Sequence, residues 1–126
     1  MVILLLAFMS FAGVAATNVP DEKAVNLKVL PKDISEHDLD KIMVEECGGA
    51  LGVKCNYCHV QDKATEKFDY ASDAIPEKDT ARSMMRMTLE LNRKYFARAN
   101  PAIGDKTLLV TCYTCHRGFA VPRENK

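Results

Sequence analysis

Val110-Thr111-Cys112-Tyr113-Thr114-Cys115-His116-Arg117-Gly118 contains a Cys-x-x-Cys-His run, the pattern of covalent haem attachment. On one helical turn, residues at i, i+3 and i+4 share a face. Cys112 and Cys115 can therefore form thioethers to one porphyrin edge while His116 reaches the iron as proximal ligand. The pattern recurs upstream in Val53-Lys54-Cys55-Asn56-Tyr57-Cys58-His59, where Cys55 and Cys58 take the thioether role and His59 the proximal one. Two covalently bound haem c groups are expected, on motifs offset by 57 residues.

A Cys-x-x-Cys pair can also be half of a four-cysteine zinc site or the dithiol of a thioredoxin-like domain. Neither needs a histidine directly after the second cysteine, and the βαβ pattern of a thioredoxin is missing. The fifth cysteine, Cys47, falls on the apolar side of an expected helix and reads as a buried thiol, with an intermolecular disulfide as the alternative.

The 126 residues suit one small domain, in which two porphyrins would supply much of the apolar centre. Seventeen basic residues balance seventeen acidic ones, so no strong basic field points to nucleic acid. Residues 1–16 form an uncharged apolar run ending in Val14-Ala15-Ala16, the small-residue pattern of a signal peptide cut after Ala16. No Lys or Arg precedes the run, so a retained membrane anchor is the alternative. Export to the periplasm agrees with haem attachment outside the bacterial cytoplasm.

Residues 17–32, broken by Pro20 and Pro31, are expected as an extended N-terminal arm, and residues 33–126 as the haem domain. Ser35 should cap a first helix, with Asp38 in a capping-box-like position and Ile34 stapled onto Leu39. Leu39, Ile42, Met43 and Cys47 form its apolar side, and Gly48-Gly49 should end it. A short haem helix is expected near 54–61, then an irregular loop over 62–75 whose Phe68 and Tyr70 could fold over a haem edge. Pro76 opens a long helix to about Ala99, stopped by Asn100-Pro101. Its stripe is Ala81, Met84, Thr88, Leu91 and Tyr95, widened by Met87. Thr111 can cap the second haem helix and Gly118 ends it. The fold class is mostly α, two units of helix, return loop and haem helix.

A second axial ligand would make each site an electron carrier, whereas an open position would suit ligand or peroxide chemistry. One histidine is spare, His37, but methionines stand on the helix before each motif: Met43 in the first half, and Met84, Met85 and Met87 in the second.

The run Ala81-Arg82-Ser83-Met84-Met85-Arg86-Met87-Thr88-Leu89-Glu90-Leu91-Asn92, followed by residues 110–118, resembles a haem segment of the photosynthetic reaction-centre cytochrome c subunit family. Leu39-Asp40-Lys41-Ile42-Met43, followed by Leu51-Gly52 and residues 53–59, is similar to the preceding segment. The resemblance covers residues 33–122. It implies a multihaem cytochrome c fold whose units are related by a local pseudo-two-fold, Met43 and Met84 as distal iron ligands, Met85 and Met87 as packing residues, and Arg117 placed to meet a haem propionate. The subunit resembled holds four haems and this chain has motifs for two. A histidine that serves a more distant haem in the family has no counterpart in residues 92–111.

The expected function is an exported dihaem cytochrome c that carries single electrons between redox protein partners and makes no bonds. Contact with a membrane would come through a retained leader or a membrane complex. The alternative is a peroxidase-like dihaem enzyme with one open iron and a distal acid or base.

Overall fold

The computed structural model describes residues 23–124; the expected leader, its cleavage site and the start of the arm lie outside them. Helix α1 spans Glu36–Lys41. The Ser35 hydroxyl accepts from the Asp38 backbone N–H at 3.1 Å and donates to the Asp38 carboxylate at 2.8 Å, so the expected cap forms. The helix then loosens into π-helical turns over Ile42–Gly49, which carry both Met43 and Cys47.

Gly48-Gly49 does not end this helix. Helical backbone runs on through Leu51, and Gly52, with φ +66°, is the residue that turns out. Gly52 and Val53 both donate to the Gly48 carbonyl, at 2.8 and 3.3 Å, which satisfies the end of the ladder.

The first motif departs from expectation as well. In place of a helix over 54–61 there is a single 3₁₀ turn, Cys55–Tyr57, and the chain then enters strand β1, Val60–Gln61. Within the stretch expected as a loop, β2 (Phe68–Asp69) pairs antiparallel with β1. The intervening turn is tied by Asp62, whose carboxylate accepts from the N–H groups of Ala64 and Thr65.

Helix α2 spans Pro76–Tyr95, with proline in its first turn and Glu77 and Asp79 beside the positive end of the helix dipole. It ends four residues before Ala99. Phe96 and Arg98 both donate to the Asn92 carbonyl at 3.2 Å, and Ala97 takes φ +52°, so the helix closes on a left-handed turn upstream of Asn100-Pro101. Helix α3, Cys112–His116, is short and ends at left-handed Arg117 and Gly118.

The core is small. Leu30, Ile42, Met85 and Ile103 form its buried cluster, with Leu27, Val29, Ile34, Leu39, Met43, Cys47 and Leu89 packed around it. The arm thus contributes Leu30 to the centre. The buried face of α2 is Arg82, Met85, Thr88 and Asn92, of which the expected stripe held only Thr88. Two polar residues on this face have partners that only the tertiary fold supplies. Met84 and Met87 lie on the open side, 44% and 46% exposed. Among the described residues no helix is long and apolar enough to cross a membrane.

Candidate haem attachment sites

At the second motif a capping box holds the entry to α3. The Thr111 side chain accepts from the Thr114 backbone, and the Thr111 N–H donates to Thr114 Oγ1 at 2.9 Å. One helical turn then carries Cys112, Cys115 and His116 as the spacing requires. His116 Nδ1 lies 2.9 Å from the Phe119 carbonyl. A carbonyl only accepts, so Nδ1 carries the proton and the Nε2 lone pair is left for a metal.

Asn92 anchors this motif to α2. Its Nδ2 donates to the carbonyls of Thr88 (2.9 Å) and Val110 (2.7 Å), and its Oδ1 accepts from the N–H groups of Leu109 (2.9 Å) and Val110 (3.2 Å). The return segment is thereby pinned two residues before Cys112.

At the first motif the 3₁₀ turn brings the His59 N–H to the Cys55 carbonyl at 2.9 Å, so the i to i+4 relation survives without a full helix. His59 Nδ1 is buried with no hydrogen bond of good geometry. The Tyr70 ring packs edge-on against the imidazole, with centroids 5.1 Å apart, and Phe68 stacks on Tyr70 at 5.5 Å. These are the two aromatics that could fold over a haem edge, and the hairpin brings Tyr70 to the His59 imidazole with Phe68 behind it. Burial, and then the charge of Lys78, lower the pKa of His59, with the Tyr70 backbone working the other way. Its neutral form, the ligating one, is thus favoured.

The four motif thiols differ in exposure. Cys55 and Cys115 are open, and Cys58 and Cys112 are half-buried, with burial the main force raising both of their pKa values. A neutral imidazole and paired, uncrosslinked thiols are the donor set that covalent haem needs, so the residues fit the group. Tyr57 and Tyr113, inside the motifs, and Tyr70, against His59, are large side chains left exposed there, as are Met84 and Met87 on α2 and Leu109 in the return segment. No three His, Cys, Asp or Glu side chains converge as a metal cluster among the described residues.

The two motifs meet through backbone. Gly118 N–H donates to the Ala50 carbonyl at 2.7 Å, and a Cβ on Gly52 would overlap the Gly118 carbonyl. Cys47 lies close to this junction. Burial pushes its thiol up to about 12, and Cys112 and Cys58 add to the shift. It packs against the core as a small hydrophobe, as its helix position suggests.

Of the methionines, Met43 is half-buried against the core, Met84 is on the open face of α2, and Met85 is in the core as a packing residue. Met87, expected to pack, is exposed. Arg117 is exposed at the left-handed end of α3. The His37 side chain is 89% exposed and lines an open groove with Asp40, Lys41, Val44 and Glu45.

Residues 12–125 match the family model described as photosynthetic reaction centre cytochrome C subunit. The chain belongs to this family. It is 34% identical over 92 residues to cytochrome c-554 of Chloroflexus aurantiacus, covering 73% of this chain and 20% of that protein. The photosynthetic reaction center cytochrome c subunit of Rubrivivax gelatinosus is 39% identical over 70 residues, 56% of this chain and 16% of that one. Its counterpart from Thermochromatium tepidum is 34% identical over 99 residues, 78% and 21%. The chain therefore spans about a fifth of the length of these curated relatives. As a reaction-centre cytochrome c family member it is a small, mostly α haem domain, and covalent haem c is the cofactor its family implies.

Asn92 and Lys78 shape the sites without a sequence motif to mark them, whereas Gly52 was legible as the tight turn before the first motif but not as a contact of Gly118. Asn92 stood at the end of the quoted motif run, and a polar residue in register with Met85 was the available signal.

Proposed function

We propose that the chain is an exported dihaem c-type cytochrome domain that carries single electrons between redox protein partners. The observation that carries this is the pair of Cys-x-x-Cys-His turns, each with its imidazole held by the surrounding backbone and rings rather than by another metal ligand. Cys55 and Cys58 would hold one haem and Cys112 and Cys115 the other, with His59 and His116 as proximal ligands. Met43 and Met84 would supply the second protein ligands, from helices that precede their motifs in the same order. Each half then has a ligand helix, a return and a haem turn, an arrangement that a local pseudo-two-fold would relate. The open position of Met84 on α2 supports this role better than Met85, which the core already uses.

When bound, the haem iron supplies the one-electron chemistry. The thiols fix the group, and the Phe119 carbonyl orients His116. Thioether ligation by the methionines raises the potential relative to two imidazoles. Arg117, exposed at the end of α3, would meet a propionate. A peroxidase-like reading would need a distal acid or base, and His37 is far more exposed than such a group requires. The periplasm is the compartment that suits the chemistry, with the leader deciding whether the domain is tethered.

The test is the holoprotein's absorption spectrum. Met43→Ala and Met84→Ala should each remove about half of the weak near-red band of Met-bound ferric haem. Retention of the full band in both variants would reject the ligand assignment.

A further inference from the structure

The two proximal histidines are held differently, and the difference runs through Lys78. At the second site His116 Nδ1 donates to the Phe119 carbonyl at 2.9 Å. A hydrogen bond of this kind raises the basicity of the metal-bound imidazole. A more basic ligand favours ferric over ferrous iron and so lowers the potential. At the first site Nδ1 of His59 is buried without a well-formed hydrogen bond. The Tyr70 ring lies against the imidazole, and the Tyr70 backbone is close enough to raise the His59 pKa, so its carbonyl is the acceptor at hand. That carbonyl also accepts from the Lys78 ammonium at 2.7 Å, which weakens it as an acceptor for His59, and the same ammonium holds the Ser72 carbonyl at 2.6 Å.

Lys78 is only 11% exposed, and Arg82, one turn further along α2, is 8% exposed. Asp73 offsets part of their field, at 3.4 Å from Lys78 and 2.8 Å from Arg82. What Asp73 does not undo is the engagement of the Tyr70 carbonyl, which draws electron density from that acceptor.

We infer that Lys78 is a positioning residue that, by holding the Tyr70 carbonyl, keeps His59 the weaker-donating proximal ligand and makes the first haem site the higher in potential. This rests on the dihaem reading above. It gives the domain a direction, with electrons settling on the His59 site from the His116 site.

The test is a potentiometric titration of the holoprotein, followed in the visible bands. Lys78→Met should weaken reduction of one haem about tenfold, a fall of about 59 mV for a one-electron couple, and leave the other in place. Lys78→Arg, which keeps a cationic donor, should preserve the wild-type value. Equal movement of both midpoints, no movement, or an equal fall in Lys78→Arg would overturn the inference. Met43→His, which replaces thioether by imidazole, assigns the midpoints without altering Lys78. The midpoint that falls should be the higher of the two, and a fall in the lower one overturns the order even if Lys78→Met does not fold. One haem per chain, or a Met43→His variant in which neither midpoint moves, would instead reject the dihaem or ligand reading and the inference with it.

Discussion

Asn92 is fully enclosed, 0% exposed, and spends its whole amide on the backbone of Thr88, Leu109 and Val110. Replacing it with leucine would keep the volume and strand buried N–H and carbonyl groups, each costing about 1–3 kcal/mol. Asn92→Leu is therefore expected to lose about 3 kcal/mol or more in denaturant unfolding, and the near-red band assigned to Met84 should weaken as the return segment comes free. Asn92→Asp keeps the acceptor for Leu109 and Val110 and should lie between leucine and wild type. An unchanged unfolding midpoint in Asn92→Leu would remove Asn92 from this account.

At the scale of elements, the local signals were legible and the long-range ones were not. Ser35, Pro76 and Thr111 mark helix starts because a cap needs only neighbours within a turn. The Cys-x-x-Cys-His spacing likewise depends on a single turn. The end of the first helix was misplaced because its stop is set by Gly52 against Gly118, a contact made 66 residues away in sequence. The face of α2 was shifted by one position because Arg82 and Asn92 find their partners in Asp73 and Val110, which hydropathy cannot see. Gly52→Ala tests the junction. Left-handed backbone costs a non-glycine residue roughly 1–2 kcal/mol, and overlap with the Gly118 carbonyl adds to it. A fall of at least about 5 °C in the melting temperature is expected for a domain of this size. A melt equal to wild type would mean that the two motifs are not braced there.

Across the whole molecule, the polypeptide supplies a thin core and relies on tethers. Asp73 is the chief one, joining Lys28 and Asn26 of the N-terminal segment to Lys78 and Arg82 of α2. Hydrogen bonds from Lys28, then Asn26 and Arg82, hold its carboxyl well below the usual carboxylate range. A depressed folded-state pKa contributes stability above the group's ordinary value of 3.8 and loses it as the pH falls below that value. The melting temperature of wild type should thus exceed that of Asp73→Asn at neutral pH, and the gap should close below about pH 4. A gap that stays constant through acid would show that the charge is not what binds the segment.

Two haems on one chain, each with histidine and methionine on the iron, would account for both motifs and both methionine-bearing helices. Haem quantified per chain as the pyridine complex, on exported protein whose oxidised and reduced spectra are also recorded, tests this most directly. Two c-type haems per chain are expected, both low-spin when oxidised, with a near-red band that falls by about half in each of Met43→Ala and Met84→Ala. One haem per chain, or a high-spin ferric signal from either haem in the native fold, would contradict this and favour a site open to ligands.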